Sequence, residues 1–124
     1  PPPGGQVFEF LTHELRLDSS QQEAYKKLRD EHQAGQRELQ DNIRDAKDAL
    51  FSLLKQPDVP DSMVHVYSRR AVEADQELDE FTFRHFQKLR AICNADQQKR
   101  FDEIIQDALH RMAAPRRQGP PPGN

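Results

Sequence analysis

The chain has 124 residues and a mass of 14.4 kDa, which is enough for one small domain. Hydrophobic residues make up 35% and charged residues 31%, and the mean hydropathy is -0.97, so the chain can fill a narrow helix–helix seam but no wide globular core. The net charge of -3, with both signs interspersed, and the single cysteine, Cys93, exclude a basic face for nucleic acid, an intrachain disulfide and a multi-cysteine zinc knuckle.

Low-complexity segments rich in proline and glycine occupy both ends of the chain, over residues 1–6 and 114–124. We expect them to be disordered spacers or tails on a single helical domain over residues 7–113. The sequence begins at Pro1 without a methionine and contains no signal peptide or transmembrane run. It is therefore expected to be a processed or truncated form, from which an export or anchoring segment could have been removed.

Hydrophobic periodicity and helix-boundary residues predict four helices in the central domain. In chain order they cover about residues 7–16, 19–56, 62–92 and 95–113. Asp18, Asp61 and Asn94 are suited to cap the second, third and fourth helices, and Pro57 and Pro60 end the second. The predicted fold class is therefore all-α.

The two long helices have apolar seams that mirror each other about the proline break. If they fold back antiparallel, the seams pair layer by layer. From the open end to the tip, the layers are His32 with His85, Gly35 with Phe81, Leu39 with Leu78, and Leu50 with Tyr67. Residues recurring every three or four positions are typical of such a helix–helix seam. The sequence therefore predicts an antiparallel helical hairpin with a histidine in both seams at one level.

Two segments of the chain, residues 17–22 and 93–98, share the pattern apolar–cap–x–x–Gln–Gln, and each opens a helix. They resemble the paired L-T-x-x-Q motifs of the Spy/CpxP group of periplasmic proteins and of the related ZraP- and CnrX-type heavy-metal sensors. The run over residues 79–90 is most similar to the heavy-metal sensor branch. The resemblance extends from about Phe8 to Met112.

This resemblance implies a four-helix, hook-like hairpin that forms a homodimer through its long helices in the periplasm. It also implies a sensor of a divalent transition metal (zinc, copper, nickel or cobalt) with a membrane-bound signalling partner. The protein could be anchored through an N-terminal segment that this chain lacks. In metal-sensing members, the ligands are two histidines on helix 1, a glutamate on helix 2, and a histidine and a methionine on helix 3.

The ligand positions of those sensors are only partly matched here. By resemblance, His85 corresponds to the helix 3 histidine, whereas Leu89 occupies the methionine position. His13 lies near the expected place on helix 1, and the residue one turn before it is Glu9. The glutamate of helix 2 falls close to Arg29, which cannot bind a metal.

The residues themselves support a related hypothesis. His32 and His85 can face each other across the hairpin, and neutral imidazoles are good ligands for these metals. His13 and the carboxylates of Glu9, Glu14 and Glu31 are candidates to complete a set of four ligands. The alternative is that both histidines are seam residues whose polar edges reach water or a carboxylate.

Three functions are compatible with these patterns. We favour a periplasmic metal-binding sensor or resistance protein. The alternative is a Spy/CpxP-like ATP-independent chaperone that presents apolar spots among charges to unfolded proteins. A structural or adaptor hairpin without a ligand is the third. No P-loop, GxSxG or HExxH motif and no catalytic triad can be assigned, so we do not expect an enzyme.

Overall fold

The structure is a computed structural model that describes residues 3–113, with side chains over residues 6–112. Four α-helices account for most of this range, and the described residues contain no strand, which confirms the all-α prediction. The helices are α1 (Pro3–Glu14), α2 (Ser19–Ser52), α3 (Asp61–Ala91) and α4 (Ala95–Ala113). Residues 1–2 of the expected spacer and the tail expected over 114–124 lie outside the described residues.

The start of α1 differs from the prediction by four residues, because the helix begins at Pro3 rather than at Val7. Proline is tolerated in the first turn of a helix, where its missing N–H group would have no partner in any case. Residues 3–6 of the expected spacer therefore belong to α1. The helix ends at Glu14, two residues before the predicted Arg16, which adopts a left-handed backbone with φ of 51°.

The proline break also shifts two boundaries. α2 ends at Ser52, and Leu53–Lys55 form a tighter 3-10 turn where α-helix was predicted as far as Gln56. Gln56 is extended, with φ -98° and ψ 143°, because a residue before proline is disfavoured in the helical region. Asp61 is the first residue of α3 instead of its cap, and the carbonyl of Pro60 accepts hydrogen bonds from the next turn.

The chain divides into two compact units. The first comprises Pro1–Arg29 and Gln87–Asn124, in which α1 packs against α4 beside the adjoining ends of α2 and α3. Its buried hydrophobic side chains are Val7, Leu11, Leu15, Leu17, Tyr25, Leu89, Cys93, Phe101, Ile104 and Ala108. Each large apolar side chain buried in this way contributes about 1.5–3 kcal/mol. This is the larger of the two cores.

The second unit, Asp30–Phe86, contains the rest of α2 and α3 and the turn between them. His32 stacks on His85, and a Cβ atom added to Gly35 would lie 2.8 Å from Cε2 of Phe81. From His32 to Gly35 the contacted residue on α3 moves back from His85 to Phe81, so the two helices run antiparallel. Both predicted layers are confirmed. Leu39 and its predicted partner are only half-buried, which fits a narrow seam.

Candidate functional site

The two seam histidines of the second unit form a buried stack. The exposed fractions are 6% for His32 and 9% for His85, and their ring centroids are 4.3 Å apart at an interplanar angle of 23°. Phe81 also stacks on His32, with ring centroids 5.2 Å apart, and Phe86 meets His85 edge-on at 4.7 Å. Four aromatic rings thus meet across two neighbouring layers of an otherwise narrow seam.

The polar edge of His32 is directed to a neighbouring side chain. A hydrogen bond of 3.0 Å joins its Nε2 atom to Oγ1 of Thr82. Burial lowers the pKa of His32, because the charged imidazolium loses hydration inside the seam. The neutral ring is therefore favoured, and it acts here as an aromatic core residue with one satisfied nitrogen.

This stack does not have the geometry of a metal site. Imidazole nitrogens bind a metal through lone pairs in the ring plane, and nearly parallel rings direct these lone pairs side by side instead of towards one point. Glu31 is exposed while His32 is buried, because neighbouring residues of a helix lie on different faces. In neither unit do the described residues bring three histidine, cysteine, aspartate or glutamate side chains together around one position.

The remaining candidate ligands belong to the first unit. Glu9 and His13 are exposed, lie one turn apart on α1 and line the same open cavity of about 560 Å³. The Nδ1 atom of His13 is also 3.7 Å from a carboxylate oxygen of Glu14. Glu14 accepts a hydrogen bond from Arg100, and this bond lowers the pKa of the Glu14 carboxyl. Glu9 and His13 therefore offer a metal at most two ligands.

Two positions of the metal-sensor pattern have structural roles in the first unit. Leu89, at the expected methionine position, is completely buried in the core. The guanidinium of Arg29, near the expected glutamate, lies 4.3 Å from the ring centroid of Phe8 in a cation–π contact. Both Leu89 and Arg29 therefore contribute to packing in the first unit.

Capping boxes open α2 and α4, as the repeated sequence pattern indicates. The Gln21 N–H group donates to Oδ1 of Asp18 at 2.8 Å, and Asp18 N–H donates back to Oε1 of Gln21 at 3.0 Å. Asn94 and Gln97 form the same reciprocal pair at 2.9 and 2.8 Å. Each box satisfies two backbone donors that a helix end leaves unpaired.

The structure also joins the two boxes to each other, which the sequence analysis did not predict. Gln21 Nε2 donates to Oε1 of Gln97 at 2.7 Å, and Gln97 Nε2 donates to Oε1 of Gln21 at 3.0 Å. The same two amides also donate to the carbonyls of Ile92 and Leu15. We call this arrangement the glutamine pair. The matching glutamine in both repeated segments was the signal that could have revealed it.

The second unit carries a further feature that the sequence analysis missed. All the large hydrophobic residues that are exposed among the described side chains lie in this unit, between residues 51 and 83. We call them the exposed apolar set; its members are Phe51, Leu54, Met63, Val64, Val66, Val72 and Phe83. Val64, three residues before the seam residue Tyr67, is 42% exposed. Apolar residues outside the seam register were the available signal.

Charge is distributed unevenly between the units. Residues 30–86 contain thirteen acidic and seven basic residues, a net charge of -6, whereas the remaining residues carry a net charge of +3. The exposed apolar set therefore lies on an acidic surface. Such a surface can contact apolar groups while the charge keeps the protein in solution.

The model of the family described as "LTXXQ motif family protein" matches residues 3–105. No curated protein and no solved structure matches the chain. Within the described range, none of the helices has the length and apolar character needed to cross a membrane. The family match covers most of the sequence, including both capping boxes, and the chain belongs to the LTXXQ motif family, the Spy/CpxP-like family of non-enzymatic, helical periplasmic proteins.

Proposed function

We propose that this protein is an ATP-independent periplasmic chaperone that binds apolar segments of partly unfolded proteins. The exposed apolar set is the observation that carries this proposal. Leu54 is 80% exposed, and Phe51, Val72 and Phe83 are each 61% exposed, so large apolar surfaces are available on one unit. Exposed apolar patches among polar residues mark interaction surfaces on soluble proteins.

The physical basis is the burial of apolar surface at moderate strength. Each square ångström of apolar surface removed from water contributes about 25 cal/mol, and part of this gain is offset by the ordering of the bound segment. A dispersed set of apolar side chains among charges therefore binds unfolded segments reversibly. Five members of the set flank the turn between α2 and α3. They are Phe51, Leu54, Met63, Val64 and Val66.

Suppression of aggregation tests the proposal directly. Light scattering of a reduced or heat-treated model client is followed with increasing amounts of the protein, in buffer containing a chelator. The variant Phe51→Ser/Leu54→Ser is expected to lose at least half of the suppression, because it removes two large exposed apolar groups. The control Gln40→Ser/Asn42→Ser changes two exposed polar residues of α2, the helix that contains Phe51, and is expected to leave suppression unchanged.

Circular dichroism and light-scattering chromatography accompany the assay. They show whether each variant stays folded and whether the chain is a monomer or a homodimer. Absence of suppression by the unaltered chain would refute the proposal. Full suppression by the Phe51→Ser/Leu54→Ser variant would refute it as well. If that variant also changes from a dimer to a monomer, the two residues belong to a surface between copies of the chain.

A metal-sensing function is the second candidate, and Glu9 with His13 supports it. These two exposed side chains lie one turn apart on α1, and a histidine–carboxylate pair at this spacing can hold two positions of a divalent transition metal. In this proposal a homodimer would pass the metal-bound state to a membrane-bound partner. The prediction that His85 and His32 are ligands stays a prediction, and their stacked rings do not strengthen it.

Calorimetric titration with zinc, copper, nickel and cobalt tests the second candidate. Binding that is lost in His13→Ala and kept in His110→Ala, which changes an exposed histidine of α4, supports the site on α1. Binding that is lost in His85→Ala instead supports the site expected from the resemblance. No binding of any of the four metals would refute both.

A further inference from the structure

One face of α3 combines exposed apolar groups with carboxylates. Val72 and Phe83 are eleven residues apart, which is close to three helical turns, so they lie on the same face at a separation of about 16 Å. Asp75 and Asp79 lie between them, and Asp79 is seven residues after Val72 and therefore on the same face. We call these four residues the α3 stripe.

Two neighbouring carboxylates of α3 have side-chain partners. Glu73 pairs with Arg69 at 3.6 Å, and Glu80 accepts a hydrogen bond from Gln76 at 3.0 Å. Neither Asp75 nor Asp79 has such a contact within residues 6–112. They are also one turn apart, and like charges at this spacing destabilise a helix. A bound cation would relieve that repulsion.

The apolar end of the stripe already contacts a cation. The guanidinium of Arg84 lies 5.4 Å from the ring centroid of Phe83, although the Phe83 side chain remains 61% exposed. A cation near an aromatic face is attracted by the electron density of the ring. This ring therefore suits a ligand that brings apolar and basic groups together.

We propose that the α3 stripe selects cationic amphipathic polypeptide segments, in which basic residues stand between apolar ones. This inference rests on the proposed chaperone function and names the class of client. An extended chain advances about 3.3 Å per residue, so about five residues span the distance from Val72 to Phe83. The apolar residues at the two ends of such a segment contact Val72 and Phe83, and the basic residue between them pairs with Asp75 or Asp79.

Charge complementarity supports this client over other occupants. The second unit has a net charge of -6, so it repels acidic segments and attracts basic ones before contact is made. An acidic apolar segment would place its carboxylates against those of the stripe. A second copy of the second unit would meet the same repulsion, because its charge is also -6.

Fluorescence anisotropy with two labelled ten-residue peptides tests the proposal. The peptides share their apolar residues and differ only in carrying lysine or glutamate at the same intervening positions. The lysine peptide is expected to bind at least tenfold more tightly at low salt, and this preference is expected to shrink as salt rises. In Asp75→Asn/Asp79→Asn, the affinity for the lysine peptide is expected to fall about fivefold to tenfold.

The control variant Glu38→Gln/Asp48→Asn removes the same charge from exposed positions on α2 of the same unit. It is expected to weaken binding by less than twofold, because distant surface charges are screened. Equal effects of the two variants would overturn the proposal, since only the net charge would then matter. Equal affinity for the two peptides would overturn it as well.

The outcome is separable from that of the aggregation assay. Suppression of aggregation without a preference for the lysine peptide would keep the chaperone function and refute the charge selection. A preference for the lysine peptide without suppression of aggregation would refute the chaperone function and keep the charge selection. If Val72→Ser/Phe83→Ser converts a dimer into a monomer and leaves peptide affinity unchanged, the stripe is a surface between copies of the chain, and the proposal is wrong.

Discussion

Gly35→Ala is expected to reveal how closely α2 and α3 approach each other in the second unit. A Cβ atom at position 35 would lie 2.8 Å from Cε2 and 3.1 Å from Cε1 of Phe81, and closer still to the tip of the ring. Carbon atoms pack at about 3.5–4.0 Å, so the ring has to retreat by about 1 Å. Its retreat is limited because Phe81 also stacks on His32 at 5.2 Å.

Two opposing effects determine the size of the change. Overpacking of a seam costs about 1–3 kcal/mol, whereas alanine in place of glycine within a helix stabilises it by about 1 kcal/mol. Gly35→Ala should therefore change stability by between about 0 and 2 kcal/mol, in the destabilising direction. In a Phe81→Leu background the ring tip is absent, and the same substitution should stabilise the protein by about 1 kcal/mol.

A double-mutant cycle measures this coupling. Urea unfolding of the four proteins, followed by far-ultraviolet circular dichroism, gives the free energies of unfolding. The effect of Gly35→Ala is expected to differ by about 1–3 kcal/mol between the two backgrounds. An equal stabilisation in both would refute the reasoning, because it would mean that the Phe81 ring does not contact the backbone of Gly35.

Three further predictions concern individual residues. Gln97→Ala should lower the free energy of unfolding by about 2 kcal/mol, because a cap and the glutamine pair are both lost, while exposed Gln106→Ala should change it by less than about 0.5 kcal/mol in urea unfolding. Arg16→Gly should raise the free energy of unfolding by about 0.5–1 kcal/mol, because glycine adopts the left-handed backbone at φ 51° without strain. The control Arg16→Ala should give no gain, and a loss of stability in Arg16→Gly would contradict the prediction. Burial lowers the pKa of His32, so below about pH 6.5 the unfolded chain binds a proton that the folded unit resists, and stability should fall as the pH drops from 7 towards the folded pKa. Unfolding at several pH values should show a smaller slope for His32→Gln than for exposed His65→Gln, and identical slopes would contradict this account.

Much of the fold follows from local sequence signals. Asp18 and Asn94 cap their helices as predicted, because each side chain acts on a backbone group three residues away. Pro57 forces Gln56 out of the helical region and so ends α2 near the predicted place. The seam register correctly paired the two histidines, because a helical period fixes which residues share a face.

The candidate site was less predictable from these signals. Periodicity places His32 and His85 opposite each other, but it carries no information on ring orientation, and the stacked arrangement is set by the neighbouring Phe81 and Thr82. Glu31 precedes His32 in α2, yet its side chain is exposed to solvent. A set of metal ligands requires convergence of side-chain atoms, which is a stricter condition than sharing a level of a seam.

The helical class, the antiparallel pairing and the caps follow from the order of the amino acids, because they depend on contacts within a few residues or on a regular period. The bond between Gln21 and Gln97 follows only from the folded arrangement, since it joins residues far apart in the chain. The folded arrangement also decides which apolar residues stay exposed, including Phe83, because exposure depends on what packs against each face. The surface that carries the proposed function is thus a property of packing, whereas the scaffold beneath it is a property of local sequence.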